Sequence, residues 1–134
     1  VKDDIILNKI SIIERCIKRI HQEYNDNPSN LNDRTKQDSV ILNLQRACEA
    51  SIKLAKHVVS VSGLGLPQKD EDAFSLLEAG DVIPHSLSEK MKAIVQFRDN
   101  IILNYEEVNL KEITKMLKNC LVDFFLFTKT ILMH

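Results

Sequence analysis

Apolar residues recur at steps of three and four along most of this chain. Ile6, Ile10, Ile13, Ile17, Ile20 and Tyr24 keep that rhythm, while Lys9, Arg15, Lys18 and Arg19 fall on the other side. Such a stripe predicts a helix over residues 2–24 that buries one face. The run Asn25-Asp26-Asn27-Pro28-Ser29-Asn30 breaks it, because turn formers and proline oppose continued helix. A second helix is predicted over residues 33–62. Val40, Leu44, Ala47, Leu54, Val58 and Val61 carry the seam, and Ser51 fills a missing step. Small residues Ala47, Cys48, Ala50, Ser51 and Ala55 let another helix approach closely. Gly63-Leu64-Gly65-Leu66-Pro67 ends the element.

A short helix follows over residues 71–79, with Gly80 as its C-terminal stop. Ser86 and Glu89 read as a capping box opening a fourth helix that runs to residue 103. Its apolar positions are Met91, Ile94, Val95, Phe97 and Ile101. A fifth helix starts near residue 109 and lasts almost to the last residue, seamed by Leu110, Ile113, Leu117, Cys120, Phe124, Phe127 and Ile131. Toward its end this helix is apolar nearly all round, which predicts cover from more than one side. A second copy of the chain is the expected cover, since two-fold dimers are the commonest soluble assembly. The fold class is therefore all-α: an antiparallel bundle of four long helices plus one short helix, in one domain over residues 1–134.

Composition adds limits. The 134 residues hold 44% hydrophobic residues and only 3 Gly and 3 Pro, enough for a core and too few turn formers for a strand-rich fold. Lys+Arg 18 against Asp+Glu 19 gives net charge -1. That argues against a dedicated nucleic-acid binder but leaves room for a local phosphate site. Cys16, Cys48 and Cys120 are isolated and odd in number, so neither a disulfide framework nor a zinc site is expected. Each sits in an apolar stripe, where a thiol packs as a small hydrophobe. No apolar run approaches a membrane span, and a reduced cytoplasm is the natural setting.

The chemistry concentrates in Phe97-Arg98-Asp99-Asn100-Ile101-Ile102-Leu103-Asn104-Tyr105. Arg98 and Tyr105 are seven apart and share a face of a continued helix. A guanidinium fork binds phosphate or carboxylate, and a tyrosine hydroxyl donates to the same oxygens. The plainer alternative has Arg98 pairing with an acid on a neighbouring helix while Tyr105 packs and the asparagines cap. Among the histidines His57 is the one to watch, because it lies on the second helix with Arg46 and Glu49.

Four stretches resemble the HEPN ribonuclease toxins of the HepT type: ISIIERCIKRI (residues 10–20), QDSVILNLQRACEASIKLAKH (37–57), GLPQKDEDAFSLL (65–77) and residues 91–109. That family's motif is an arginine, four residues, a histidine, one residue and a tyrosine. Arg98 matches the arginine and Tyr105 the tyrosine, while Leu103 stands at the histidine position. The resemblance implies a HEPN-like bundle and the toxin of a type VII toxin–antitoxin module, an RNA endonuclease that uses no metal and no cofactor. It implies that Arg98, Asn100 and Asn104 face the RNA phosphate and that Arg98 and Tyr105 serve catalysis. It also implies that a minimal nucleotidyltransferase antitoxin attaches AMP to Tyr105 and silences the toxin. Leucine can neither move a proton nor hold a leaving group, and losing such a group commonly costs 10²- to 10⁴-fold in rate. A second expectation therefore stands beside the first: an inactive helical dimer that binds the nucleotidyltransferase.

Overall fold

The structure, a computed structural model, describes residues 3–103 and 110–134, with the side chains of 101–103 left aside. It contains five α-helices and one 3-10 turn, with no strand among the described residues. The helices are α1 (Asp4–Tyr24), α2 (Arg34–Val61), α3 (Asp70–Ala79), α4 (His85–Leu103) and α5 (Leu110–Met133). Four long helices and one short one are what the apolar spacing predicts. The segment read as a simple break holds the 3-10 turn Pro28–Asn32, whose Leu31 is buried.

Local signals explain most boundaries. Asp3 caps α1 by accepting from Ile6 N at 2.8 Å, and Asp33 caps α2 by accepting from Lys36 N at 3.1 Å. Asn25, in left-handed backbone at φ 48, closes α1 with its N–H on the His21 carbonyl. Asparagine tolerates that region better than most residues. Asp72 Oδ2 accepts from Gln68 N and Lys69 N, each at 3.0 Å, so α3 begins at Asp70, one residue before its predicted start.

Two expected signals fall differently. Helix α4 begins at His85, with Ser88 N donating to the Pro84 carbonyl. Ser86 therefore sits inside the first turn and is not the cap of a capping box. Gly80 does end α3, but at φ -86 it is not left-handed; that geometry falls on Asp81, at φ 58. What Gly80 provides is room, because a Cβ there would come within 2.7 Å of the Leu64 side chain.

The helices pack as successive antiparallel neighbours. His57 near the end of α2 meets Asp3 at the start of α1, which fixes the α1–α2 hairpin. Arg98 near the end of α4 meets Asp70 at the start of α3, which fixes α3 against α4. Lys90 lies 3.8 Å from Asp123, and Phe97 shares a crevice with Met116, so α5 runs back along α4. Helix α2 is central and buries two sides, including Val40, Leu44, Ala47, Cys48, Leu54, Ala55 and Val59. Ser51 is buried there with its hydroxyl on the Ala47 carbonyl at 2.8 Å. Phe74 of α3 and Phe127 of α5 meet edge to face at 5.5 Å.

Two seam positions differ from the spacing. Cys16, not Ile17, occupies the buried step of α1, and Val61 is exposed. All three cysteines are buried and free. Burial pushes the Cys48 and Cys120 thiols up to about 12 and raises Cys16 as well, so they are packing groups and not nucleophiles. No described helix is long and apolar enough to cross a membrane.

Candidate functional site

Arg98 lies on the buried side of α4, only 8% exposed. Its placement follows from the helix period: Met91, Ile94, Val95 and Arg98 share the inward face. A buried guanidinium demands partners, and three carboxylates supply them. Nη1 donates to Glu49 Oε1 of α2, and Nη2 donates to Asp70 Oδ2 at 2.9 Å. Nε lies 2.8 Å from Asp99 Oδ1, close enough for charge attraction but out of line, so it makes no hydrogen bond among the described residues. Asp70 is shared, since its other oxygen takes Lys56 Nζ at 2.7 Å. Two cations thus sit among three carboxylates, and the cluster is net negative.

The pairing with acids on neighbouring helices is the plainer of the two sequence readings, and the residues it left unnamed are Glu49 and Asp70. Helical spacing within α4 cannot say which acids Arg98 meets, because both come from elements distant in the chain. The crevice beside the arginine, lined by Leu44, Cys48, Ile94, Phe97 and Met116, leaves no room for a water molecule. An incoming phosphate must therefore reach Arg98 from the carboxylate side. Glu49 is 45% exposed there and Asp70 34%, so either can swing aside into solvent.

Among the described residues, no other expected site residue joins Arg98. Asn100 is exposed, two residues on and therefore roughly 200° round the helix. Leu103 is the last residue of α4, and its side chain, Asn104 and Tyr105 lie outside the described residues. His57 is not part of the cluster: its Nε2 is 2.6 Å from Asp3 Oδ2 and ties α2 to the start of α1. His85 pairs with Glu78 at 2.9 Å on the surface. These two and Glu89 bring possible metal-ligating atoms within 4.8 Å of one another, but Glu78 already binds His85, and Lys92 lies 3.5 Å from Glu89.

The Asp3–His57 contact has a pH signature. The hydrogen bond from His57, then the one from Ile6 N, hold the Asp3 carboxyl below its ordinary value. A carboxyl with a depressed folded pKa stabilises the fold above its unfolded pKa, and that contribution is lost as pH falls through the folded one. Asp3→Ala is accordingly expected to lower the melting temperature at neutral pH. The gap to the parent protein should narrow progressively as pH falls below about 4, the ordinary carboxylate value, toward the lower folded one. Thermal melts from pH 7 to pH 3 check this, and a gap that persists in acid would refute it.

Comparison with known proteins fits this architecture. Residues 6–131 match the family described as Ribonuclease HepT-like, and the chain belongs to that family. It is 44% identical over 129 residues to the mRNA nuclease HepT of Shewanella oneidensis, covering 96% of this chain and 97% of that one. Among solved structures, a chain of a toxin–antitoxin complex with AMP-PNP superposes with a TM-score of 0.90 at 43% identity, over 97% of this chain and 99% of that one. The tri-AMPylated Shewanella oneidensis HEPN toxin in complex with its MNT antitoxin gives 0.90 at 44% identity, over 99% and 100%.

Proposed function

We propose that this chain is the toxin of a two-gene, type VII toxin–antitoxin module: an RNA endonuclease needing no metal, silenced by AMP transfer from a minimal nucleotidyltransferase. The observation that carries this is the 43–44% identity and TM-score of 0.90, over nearly the whole chain, to toxins held in antitoxin complexes. Arg98 is the phosphate-binding and catalytic residue in this reading. Tyr105 assists it and accepts AMP, and Asn100 and Asn104 add polar contacts to RNA. Each added AMP brings negative charge and bulk to the RNA-binding end.

Leu103 and the three carboxylates around Arg98 favour a second reading for the chain as it stands. It would be a helical homodimer that keeps its nucleotidyltransferase partner while cutting RNA feebly or not at all. Homodimer formation is supported by the outer face of α5, where Val122, Phe125, Leu126 and Met133 are 57%, 55%, 41% and 81% exposed. Lys129, 5.5 Å from the Phe125 ring, covers only part of it.

Light scattering tests assembly and partner together. The chain alone is expected at twice its 15.4 kDa at micromolar concentration, and with its cognate nucleotidyltransferase as one heavier species. A monomer removes the dimer, and the absence of a joint species contradicts the module.

A further inference from the structure

Glu49 stands between two spaces. On one side is buried Arg98, whose Nη1 donates to Glu49 Oε1. On the other is a groove of about 380 Å³ between α1 and α2, which Glu49 itself helps to line. Lys9, Arg46 and Lys53 also line that groove, and Glu49 is the one acid among its described lining residues. Lys53 follows Glu49 by four residues, the spacing and order at which a helix favours a glutamate–lysine pair. That pair is not made, because Glu49 is turned to Arg98. Lys53 and Arg46, the latter three residues before Glu49, are exposed and make no ion pair among the described residues.

The other carboxylates on Arg98 have no second place to go. Asp70 binds Lys56 Nζ through its other oxygen at 2.7 Å. It is also the first residue of α3, where the positive end of the helix dipole holds a carboxylate in place. Asp99 adjoins Arg98 in the chain and moves with the same helix. Behind the guanidinium the crevice is closed. Glu49 alone is both half exposed and flanked on its own helix by cations without a partner.

Resting on the reading that Arg98 binds RNA phosphate, we infer that Glu49 is the gate of that site and that Lys53 and Arg46 receive it. An arriving phosphodiester takes Arg98 Nη1, and Glu49 turns into the α1–α2 groove to pair along its own helix. The helix pairs are weak alone, so Glu49 stays with Arg98 until an anion replaces it there. The exchange leaves no charge without a partner. It also removes one of the three negative charges facing the phosphate, which leaves Arg98 and Lys56 balanced by Asp70 and Asp99. Glu49, Lys53 and Arg46 are positioning residues in this scheme, since they act on the phosphate only through Arg98.

The test is NMR of the full chain with labelled arginine, titrated with the dinucleotide ApA, which carries a single phosphodiester, at constant ionic strength. The Arg98 Nε–H signal is the one missing from Arg98→Lys. Four proteins are compared: the parent, Glu49→Gln, Arg46→Gln/Lys53→Gln and the triple variant. Glu49→Gln should bind about tenfold tighter, the scale of one charge-assisted hydrogen bond that need not be displaced. It keeps an oxygen for Arg98 Nη1, so the fold is retained. Arg46→Gln/Lys53→Gln should bind about two- to fivefold more weakly, the scale of two helix pairs. In the Glu49→Gln background the same double change should have no effect.

Equal affinity in the parent and Glu49→Gln overturns the inference. So does a loss from Arg46→Gln/Lys53→Gln that persists in the Glu49→Gln background, because those cations then act on the ligand or through net charge and not through Glu49. If the Arg98 signal responds in none of the four proteins, the gate falls together with the phosphate-binding role of Arg98. AMP transfer to Tyr105 is then judged separately, by mass.

Discussion

Leu103→His is expected to raise RNA cleavage, measured with EDTA present, by about 10²- to 10⁴-fold over the chain as it stands. The reasoning is local. Arg98 to position 103 spans five residues, so the two sit about 7.5 Å apart along a helix axis. They can act on one phosphodiester only if 103 carries a group that moves protons or holds the leaving oxygen. Leucine has no such group. The described fold superposes on a relative at a TM-score of 0.90, which is the scaffold the substitution relies on. What opposes the gain is the trio Glu49, Asp70 and Asp99 around Arg98. Phosphate must displace at least one of them and approach the others against their charge. If Leu103→His stays silent, those carboxylates have closed the anion site, and the binding-module reading prevails. Arg98→Lys is the matching control for a restored enzyme. It keeps a positive charge among the carboxylates but loses the two-pronged fork, so activity falls while the fold is retained. Arg98→Ala is a poorer control, because it removes the cation from three clustered acids and confounds stability with chemistry.

Phe127→Ala should cost about 3–5 kcal/mol of stability, the range for deleting a large buried ring. Phe127 is fully buried, and its edge-to-face contact with Phe74 joins α5 to α3. Truncation leaves a hole that the surrounding helices fill only in part. Phe125→Ala is the informative contrast. Two residues away and 55% exposed, it should change stability by less than about 1 kcal/mol in a monomer. In a dimer packed on that face the cost becomes larger and dependent on protein concentration. Urea denaturation of both variants at two protein concentrations reads the difference. Equal losses for Phe125 and Phe127 would contradict the described burial of α5.

The helices were legible because each carries one long apolar stripe, and the stripes of α1, α2 and α5 are long enough to average out single exceptions. Single positions were less legible. Cys16 and Ile17 both fit the α1 stripe, and neighbouring helices, not the period, choose which goes under. Val61 follows the α2 rhythm, yet it lies in the last turn, beyond cover. Ser86 and Glu89 have capping-box spacing, but the helix already starts after Pro84, two residues earlier. For the site, spacing and resemblance singled out Arg98 and the odd leucine at 103. They could not reveal Glu49, Asp70 and Lys56, because a tertiary ion cluster leaves no periodic trace in sequence.

The central claim is that this chain is the target of a nucleotidyltransferase antitoxin, and intact-mass spectrometry tests it most directly. The chain is incubated with its cognate nucleotidyltransferase, ATP and magnesium, alongside Tyr105→Phe. The account predicts one or more whole AMP increments on the parent protein and none on the variant. An unmodified parent, or equal modification of Tyr105→Phe, would contradict it.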